Sequence, residues 1–146
     1  MAMADRTANS VWEGDLAHGN GNLSLKSGAT DDLPVTWASR TERSDGKTSP
    51  EELVAAAHAS CFSMALSHEL SEAGHKPERL DVSSTVTLDM VEGAPTVTGS
   101  KLTVRGRVPG IDQSEFEQAA QGAGKNCPIS RALSIDIQVD AQLEDS

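Results

Sequence analysis

The chain of 146 residues contains no tyrosine, only two phenylalanines and two tryptophans, and only two cysteines. Aromatics make up 3% of it, so the large side chains that anchor a core are scarce. A chain short of such anchors can bury further surface against a second copy of itself, and a homodimer is the expectation. Positive charge is short as well: 12 Lys and Arg stand against 22 Asp and Glu, for a formal net charge of −10. No basic cluster offsets this locally, so neither nucleic acid nor an anionic membrane surface is an expected partner. Long apolar runs are also missing. The stretch after Leu53 is too short to cross a bilayer and is interrupted by His58. The opening MAMADRTANS lacks the basic and apolar regions of an export signal, which leads to the expectation of a cytoplasmic protein. In that reducing compartment a static disulfide is disfavoured, and Cys61 and Cys127 are redox-active, metal-bound or simply buried thiols.

What is present reads as one domain over residues 1–146, in an α+β arrangement. Trp12 to Leu16, Asn22 to Leu25 and Pro34 to Trp37 are short strand candidates separated by Gly and Asn turns such as His18-Gly19-Asn20-Gly21, a meander. A long helix then starts at Ser49-Pro50-Glu51-Glu52, with Ser49 as N-cap, Pro50 at the first helical position and Glu52 as reciprocal capping partner. It is expected to run to Ala73, where Gly74 and Pro77 stop it, a length of about 24 residues or roughly 36 Å. Alternation at Leu80, Val82, Ser84, Val86, Leu88 and Met90, and again from Thr96 to Val108, predicts a hairpin across Glu92-Gly93-Ala94-Pro95. Asp112 and Glu115 open a second helix that buries Phe116, Ala119, Ala120 and Ala123, with Gly122 and Gly124 weakening its end. A short helical turn follows Cys127-Pro128, and Ile135 to Leu143 alternates as a last strand. Antiparallel pairing is expected throughout.

Cys61 sits among Ala55, Ala56, Ala57, Ala59 and Ser60, small residues that let another backbone approach closely. His58 and His68 lie within roughly 60° of it around the helix, which raises a metal site. Zinc, however, favours closely spaced ligand pairs, and the two cysteines are far apart in the chain. Gly46-Lys47-Thr48 lacks the upstream glycine of a phosphate-binding loop, and no hydrolase motif is present. Two distant thiols suit a redox cycle: a cation lowers the pKa of one, its thiolate attacks a peroxide, and the other captures the sulfenic acid. Arg40, Arg43 and Arg131 are the candidate cations, and Cys127, at a helix start before proline, fits the capturing role. The plain alternative is a buried, inert Cys61.

Pro50-Glu51-Glu52-Leu53 with Ala56-Ala57-His58-Ala59-Ser60-Cys61-Phe62-Ser63-Met64-Ala65-Leu66-Ser67 resembles the central helix of the OsmC/Ohr family of osmotically inducible and organic-hydroperoxide-resistance proteins. Cys127-Pro128-Ile129-Ser130 resembles its second cysteine motif, and Trp12-Glu13-Gly14-Asp15 and Val108-Pro109-Gly110-Ile111-Asp112 agree as well. His58, Ile129 and Ser130 favour the OsmC branch. The resemblance implies an intertwined homodimer with sheets wrapped around two central helices, and a thiol peroxidase acting on organic hydroperoxides and less efficiently on hydrogen peroxide. It implies Cys61 as the attacking thiol, Cys127 as the resolving thiol, and Glu51 as the carboxylate that orients the catalytic arginine. Arg40, at the end of a strand, matches that arginine, with Arg43 as the alternative. No metal, flavin or haem is implied; the reductant is an external dithiol, of the lipoyl type or another. A pocket lined by Phe62 and Met64 would favour organic peroxides. A non-catalytic binding or metal-binding protein of the same fold is the rival reading.

Glu51 and Cys61 are ten residues apart, roughly 15 Å along one helix. An arginine held by Glu51 is thus expected to meet a thiolate of the other subunit.

Overall fold

The computed structural model describes residues 2–144, and contacts divide the chain into two compact units, with the division between Leu53 and Val54. In the first unit β1 (Ala8–Glu13), β2 (Asn20–Leu25) and β3 (Leu33–Val35) form an antiparallel meander in that order. β1 pairs with β2 from Ala8 opposite Leu25 to Glu13 opposite Asn20, so the first strand starts earlier than the expected Trp12 and ends before Gly14 rather than running through it to Leu16. Gly14 turns the chain at φ +95°, a conformation that side-chain-bearing residues avoid.

The third strand stops at Val35, short of the expected Trp37, because Thr36 begins a helix. Its hydroxyl accepts from the Ser39 N–H at 3.0 Å while the Ser39 hydroxyl accepts from the Thr36 N–H at 2.9 Å. This capping box outweighs the apolar alternation of Val35 and Trp37 and starts α1 (Trp37–Thr41). Arg40 therefore stands on a helical turn and not at a strand end.

α2 (Pro50–Glu72) has 23 residues and continues from the first unit into the second. Ser49 Oγ accepts from the Glu52 N–H at 3.1 Å, as the capping motif predicts. The reciprocal half is not made: the Glu52 carboxylate accepts from the Thr48 hydroxyl at 2.7 Å instead. At the other end Gly74, at φ +89°, lets the His75 N–H reach the Leu70 carbonyl at 2.8 Å.

The second unit holds β4 (Arg79–Val91), β5 (Ala94–Arg107), α3 (Gln113–Asn126), α4 (Pro128–Ala132) and β6 (Asp136–Leu143). β4 and β5 form the predicted hairpin. Its two-residue turn is Glu92-Gly93, both at positive φ, 51° and 82°, which matches the right-handed twist of the strands it joins. β6 departs from the expected antiparallel pairing: it runs parallel to β5, from Gly99 opposite Asp136 to Gly106 opposite Leu143. α3 and α4 lie between the two strands and carry the chain back to the end at which β5 began, which a short turn could not do.

The core joins Phe62, Leu66 and Leu70 of α2 to Leu102 and Val104 of β5, Phe116, Ala120 and Ala123 of α3, and Ala141 of β6. Asp112 caps α3, accepting from the Glu115 N–H at 2.8 Å. Gly122 and Gly124 do not end that helix, which continues to Asn126. Gly124 is buried where a Cβ would come within 2.6 Å of Val139 Cγ2. The need for close approach to β6 here overrides glycine's poor helix propensity.

Candidate functional site

The structure brings the four candidate residues together as two pairs. In the first unit, Arg40 on α1 and Glu51 in the first turn of α2 form a two-pronged ion pair. Arg40 Nε donates to Glu51 Oε1 at 3.0 Å and Nη2 donates to Oε2 at 2.8 Å. Glu51 is buried, and its bonds to the guanidinium raise the Arg40 pKa above its already high value, so the cation is permanent. The Arg40 guanidinium also stands 5.8 Å from the centre of the Trp37 ring, three residues earlier on the same helix. Arg43 is exposed beyond α1, so Arg40 is the arginine that Glu51 holds.

A cleft of about 510 Å3 opens beside the guanidinium, with Trp12, Leu23, Val35, Trp37, Arg40 and Leu53 among its lining residues. The expected pocket lining differs from this. Phe62 is fully buried in the core and Met64 is 73% exposed, so neither lines the cleft. The two tryptophans were missed. Trp37 lies one helical turn before Arg40, a spacing that would have revealed the contact had the segment been read as helix.

The second pair is Cys61 and Cys127, both free thiols and near enough neighbours that each shifts the ionisation of the other. Cys61 is half-buried on α2 and Cys127 fully buried as the residue that caps α4. Pro128 follows at the first helical position, where its missing N–H costs nothing, and the next free N–H groups face the sulfur. The Ser130 N–H donates to Cys127 Sγ at 3.5 Å.

The two thiols are displaced in opposite directions. Burial pushes the Cys61 thiol up, the Ile129 N–H pulls it part of the way back, and the neighbouring Cys127 pushes it up further. Burial acts upward on Cys127 too, but the Ser130 N–H, the Ser130 hydroxyl, Cys61 and the Ile129 N–H together hold its pKa below the ordinary thiol value. No cation contributes to the shift of Cys61.

His58, one helical turn before Cys61, is fully buried and bonded at both ring nitrogens, Nδ1 to the Ser100 hydroxyl at 2.6 Å and Nε2 to the Ser130 hydroxyl at 2.7 Å. The sequence offered one signal for this: a histidine on the apolar stretch of a helix needs polar partners if it is buried. His68 is exposed, and no group of three or more metal-ligating side chains occurs among the described residues.

A mixed α and β fold with paired thiols on its long helix and on a short capped helix defines a class of small thiol proteins. The chain belongs to the OsmC-like protein family, whose model matches residues 43–142. Among curated relatives, it is 44% identical over 133 residues to the peroxiredoxin OsmC of Escherichia coli strain K12, covering 91% of this chain and 92% of that one. It is 30% identical over 115 residues to the organic hydroperoxide resistance protein OhrA of Bacillus subtilis strain 168, covering 77% and 78%. The crystal structure of OhrB of Bacillus subtilis superposes with a TM-score of 0.72 at 25% identity, covering 94% of this chain and 98% of that one. No helix among the described residues is long and apolar enough to cross a membrane.

Proposed function

We propose that this chain is a cysteine-based peroxidase that reduces organic hydroperoxides, and hydrogen peroxide less efficiently, at the expense of an external dithiol. The observation that carries this reading is the pairing of two free thiols as neighbours on α2 and at the start of α4, one displaced towards the thiol and the other towards the thiolate. Relatives named as a peroxiredoxin and as hydroperoxide resistance proteins support it.

In the reaction, the Cys61 thiolate attacks the terminal oxygen of the hydroperoxide; an S–O bond forms, the O–O bond breaks, and the alkoxide takes up a proton to leave as alcohol. Cys127, as thiolate, then attacks Sγ of the Cys61 sulfenic acid, forming the disulfide and expelling hydroxide, which leaves as water. An external dithiol, lipoyl-type or other, attacks Cys61 Sγ and releases the Cys127 thiolate; its second thiol then frees Cys61 and leaves as a disulfide. The low pKa of Cys127 serves both of its steps, since it is ionised for attack and is the better leaving group.

Cys61 itself is pushed towards the neutral thiol and needs a cation. Ten residues of helix separate it from Glu51, roughly 15 Å. The Arg40–Glu51 pair of one subunit accordingly serves Cys61 of its partner in a homodimer. Exposed Met64 on α2, and exposed Val11, Trp12 and Leu16 in the first unit, are apolar surfaces that a second copy would cover. The apolar cleft beside Arg40 favours a hydroperoxide with a hydrocarbon body. The cytoplasm, where reduced dithiols are available, is the compartment that suits this cycle.

The test is consumption of tert-butyl hydroperoxide by purified protein with a dithiol. The native chain should turn over, Cys61→Ser should not, and mixing Cys61→Ser with Arg40→Ala subunits should restore part of the rate. Equal consumption by Cys61→Ser would remove the proposal, and no recovery on mixing would remove the shared site.

A further inference from the structure

His58 has no place in the reaction steps above, yet it is fully buried and both of its ring nitrogens are engaged. A structural histidine would need one such partner on each side and nothing more. Here the partners continue in both directions. On the Nε2 side, Ser130 is itself buried and its N–H lies on Cys127 Sγ at 3.5 Å. On the Nδ1 side, the Ser100 hydroxyl meets the Ser84 hydroxyl at 2.9 Å, and Ser84, on the half-buried face of β4, ends the chain nearer to solvent.

We propose that His58 is a positioning residue for Cys127, acting through Ser130, whose N–H lies on the Cys127 sulfur, and that the hydrogen-bonded chain Ser130–His58–Ser100–Ser84 extends to that sulfur through the Ser130 hydroxyl in two arrangements. In one, the Cys127 S–H donates to the Ser130 oxygen, Ser130 donates to His58 Nε2, His58 Nδ1–H donates to Ser100, and Ser100 donates to Ser84. In the other, every donor has reversed: His58 Nε2–H donates to Ser130, whose freed hydroxyl proton points at the Cys127 thiolate. Passing from the first to the second shifts each proton one group along: the S–H proton goes to Ser130, the Ser130 proton to His58 Nε2, the Nδ1 proton to Ser100, the Ser100 proton to Ser84, and the Ser84 proton leaves to solvent, so the sulfur is left negative and no bond between heavy atoms forms or breaks. A neutral imidazole can hold either end of this switch because its single N–H sits on Nδ1 or on Nε2. Burial lowers the His58 pKa and so keeps the ring in that neutral form.

The groups that act on the Cys127 sulfur are the Ser130 N–H and hydroxyl, the Ile129 N–H of the same helix, and the Cys61 thiol of α2. His58 reaches it only through Ser130. The role of this device in turnover rests on the peroxidase reading; its effect on Cys127 does not.

The experiment titrates Cys127 by thiolate absorbance in the Cys61→Ser protein, where it is the one remaining thiol. Three further substitutions are compared in that background. His58→Asn reaches Ser100 but is too short for Ser130. His58→Gln places an amide N–H where Nε2 stood. Ser130→Ala removes the hydroxyl and keeps the backbone N–H.

A hydrogen bond to a charged partner is strong enough to move a pKa by about one unit. The midpoint should therefore rise by about one pH unit in His58→Asn and in Ser130→Ala, about tenfold less thiolate at a fixed lower pH, while His58→Gln stays near the parent. A histidine that only fills and satisfies the core would lower the melting temperature and leave every midpoint in place, which overturns the proposal. Ser130→Ala deletes a single oxygen, so it decides the matter even where a His58 variant does not fold. Peroxide turnover is a separate reading. A flat titration beside Cys61-dependent turnover removes the role of His58 alone, whereas a shifted titration without turnover removes the peroxidase alone.

Discussion

Glu51 has two claims on it at the start of α2. A carboxylate in the first helical turn already complements the exposed N–H groups there, and that alone would explain an acidic residue at this position. Its buried carboxylate instead receives two donors from the Arg40 guanidinium. Glu51→Gln keeps the shape and removes the charge, so the fold should persist while the guanidinium loses its anchor. Charge-assisted bonds of this kind correspond to about a ten- to hundredfold loss in the rate of hydroperoxide consumption. Steady-state kinetics beside a circular dichroism spectrum measure this; an unchanged rate would mean that Glu51 is only a helix-start residue. Cys61 and Cys127 drew notice as the only two thiols, whereas the pairing of Arg40 with Glu51 was legible only through the family resemblance, since a carboxylate in a first helical turn gives no sign of the guanidinium it will hold. His58 was not placed, since a histidine on an apolar helix gives no hint of which distant hydroxyls it will meet. Ser100 and Ser130 reach it from β5 and α4, 42 and 72 residues later.

At the scale of elements, local chemistry set what was readable. Ser49-Pro50 and Asp112 with Glu115 are caps made by neighbouring residues and stand where the sequence puts them, while the turn expected across Glu92-Gly93-Ala94-Pro95 tightens to Glu92-Gly93, with Ala94 and Pro95 already paired in the hairpin. Trp37 was misassigned because a strand pattern of two apolar residues is weaker than the capping box that Thr36 and Ser39 close. The parallel pairing of β6 could not be read at all, since alternation reports a strand's faces and not its direction. The β4–β5 turn carries one local conflict: Glu92 adopts φ 51°, which its Cβ disfavours, beside Gly93 at 82°. Glu92→Asn supplies the favoured Asn-Gly turn and should stabilise the protein by about 0.5–1 kcal/mol. Chemical denaturation measures the gain, and a loss of stability would show that the Glu92 side chain has a role this turn geometry does not reveal.

The whole molecule brings the scarcity of aromatics back into view. Both phenylalanines are spent on the core of the second unit, at 0% exposure, and both tryptophans line the cleft of the first. Little remains to cover the rest, and Val11, Leu16 and Met64 stay exposed at 59% or more. In the proposed homodimer a second copy would cover these surfaces, and its Arg40 would supply the cation that is missing among the groups that shift Cys61. The central claim is nevertheless about the sulfurs. Brief treatment of the reduced protein with an organic hydroperoxide, followed by alkylation, proteolysis and mass spectrometry, tests it most directly. The account predicts a Cys61–Cys127 disulfide within one chain that a dithiol reverses, and a Cys61 sulfenic acid trapped when Cys127 is replaced by serine. Two thiols still free after treatment, or oxidation that begins at Cys127 and leaves Cys61 untouched, would contradict it.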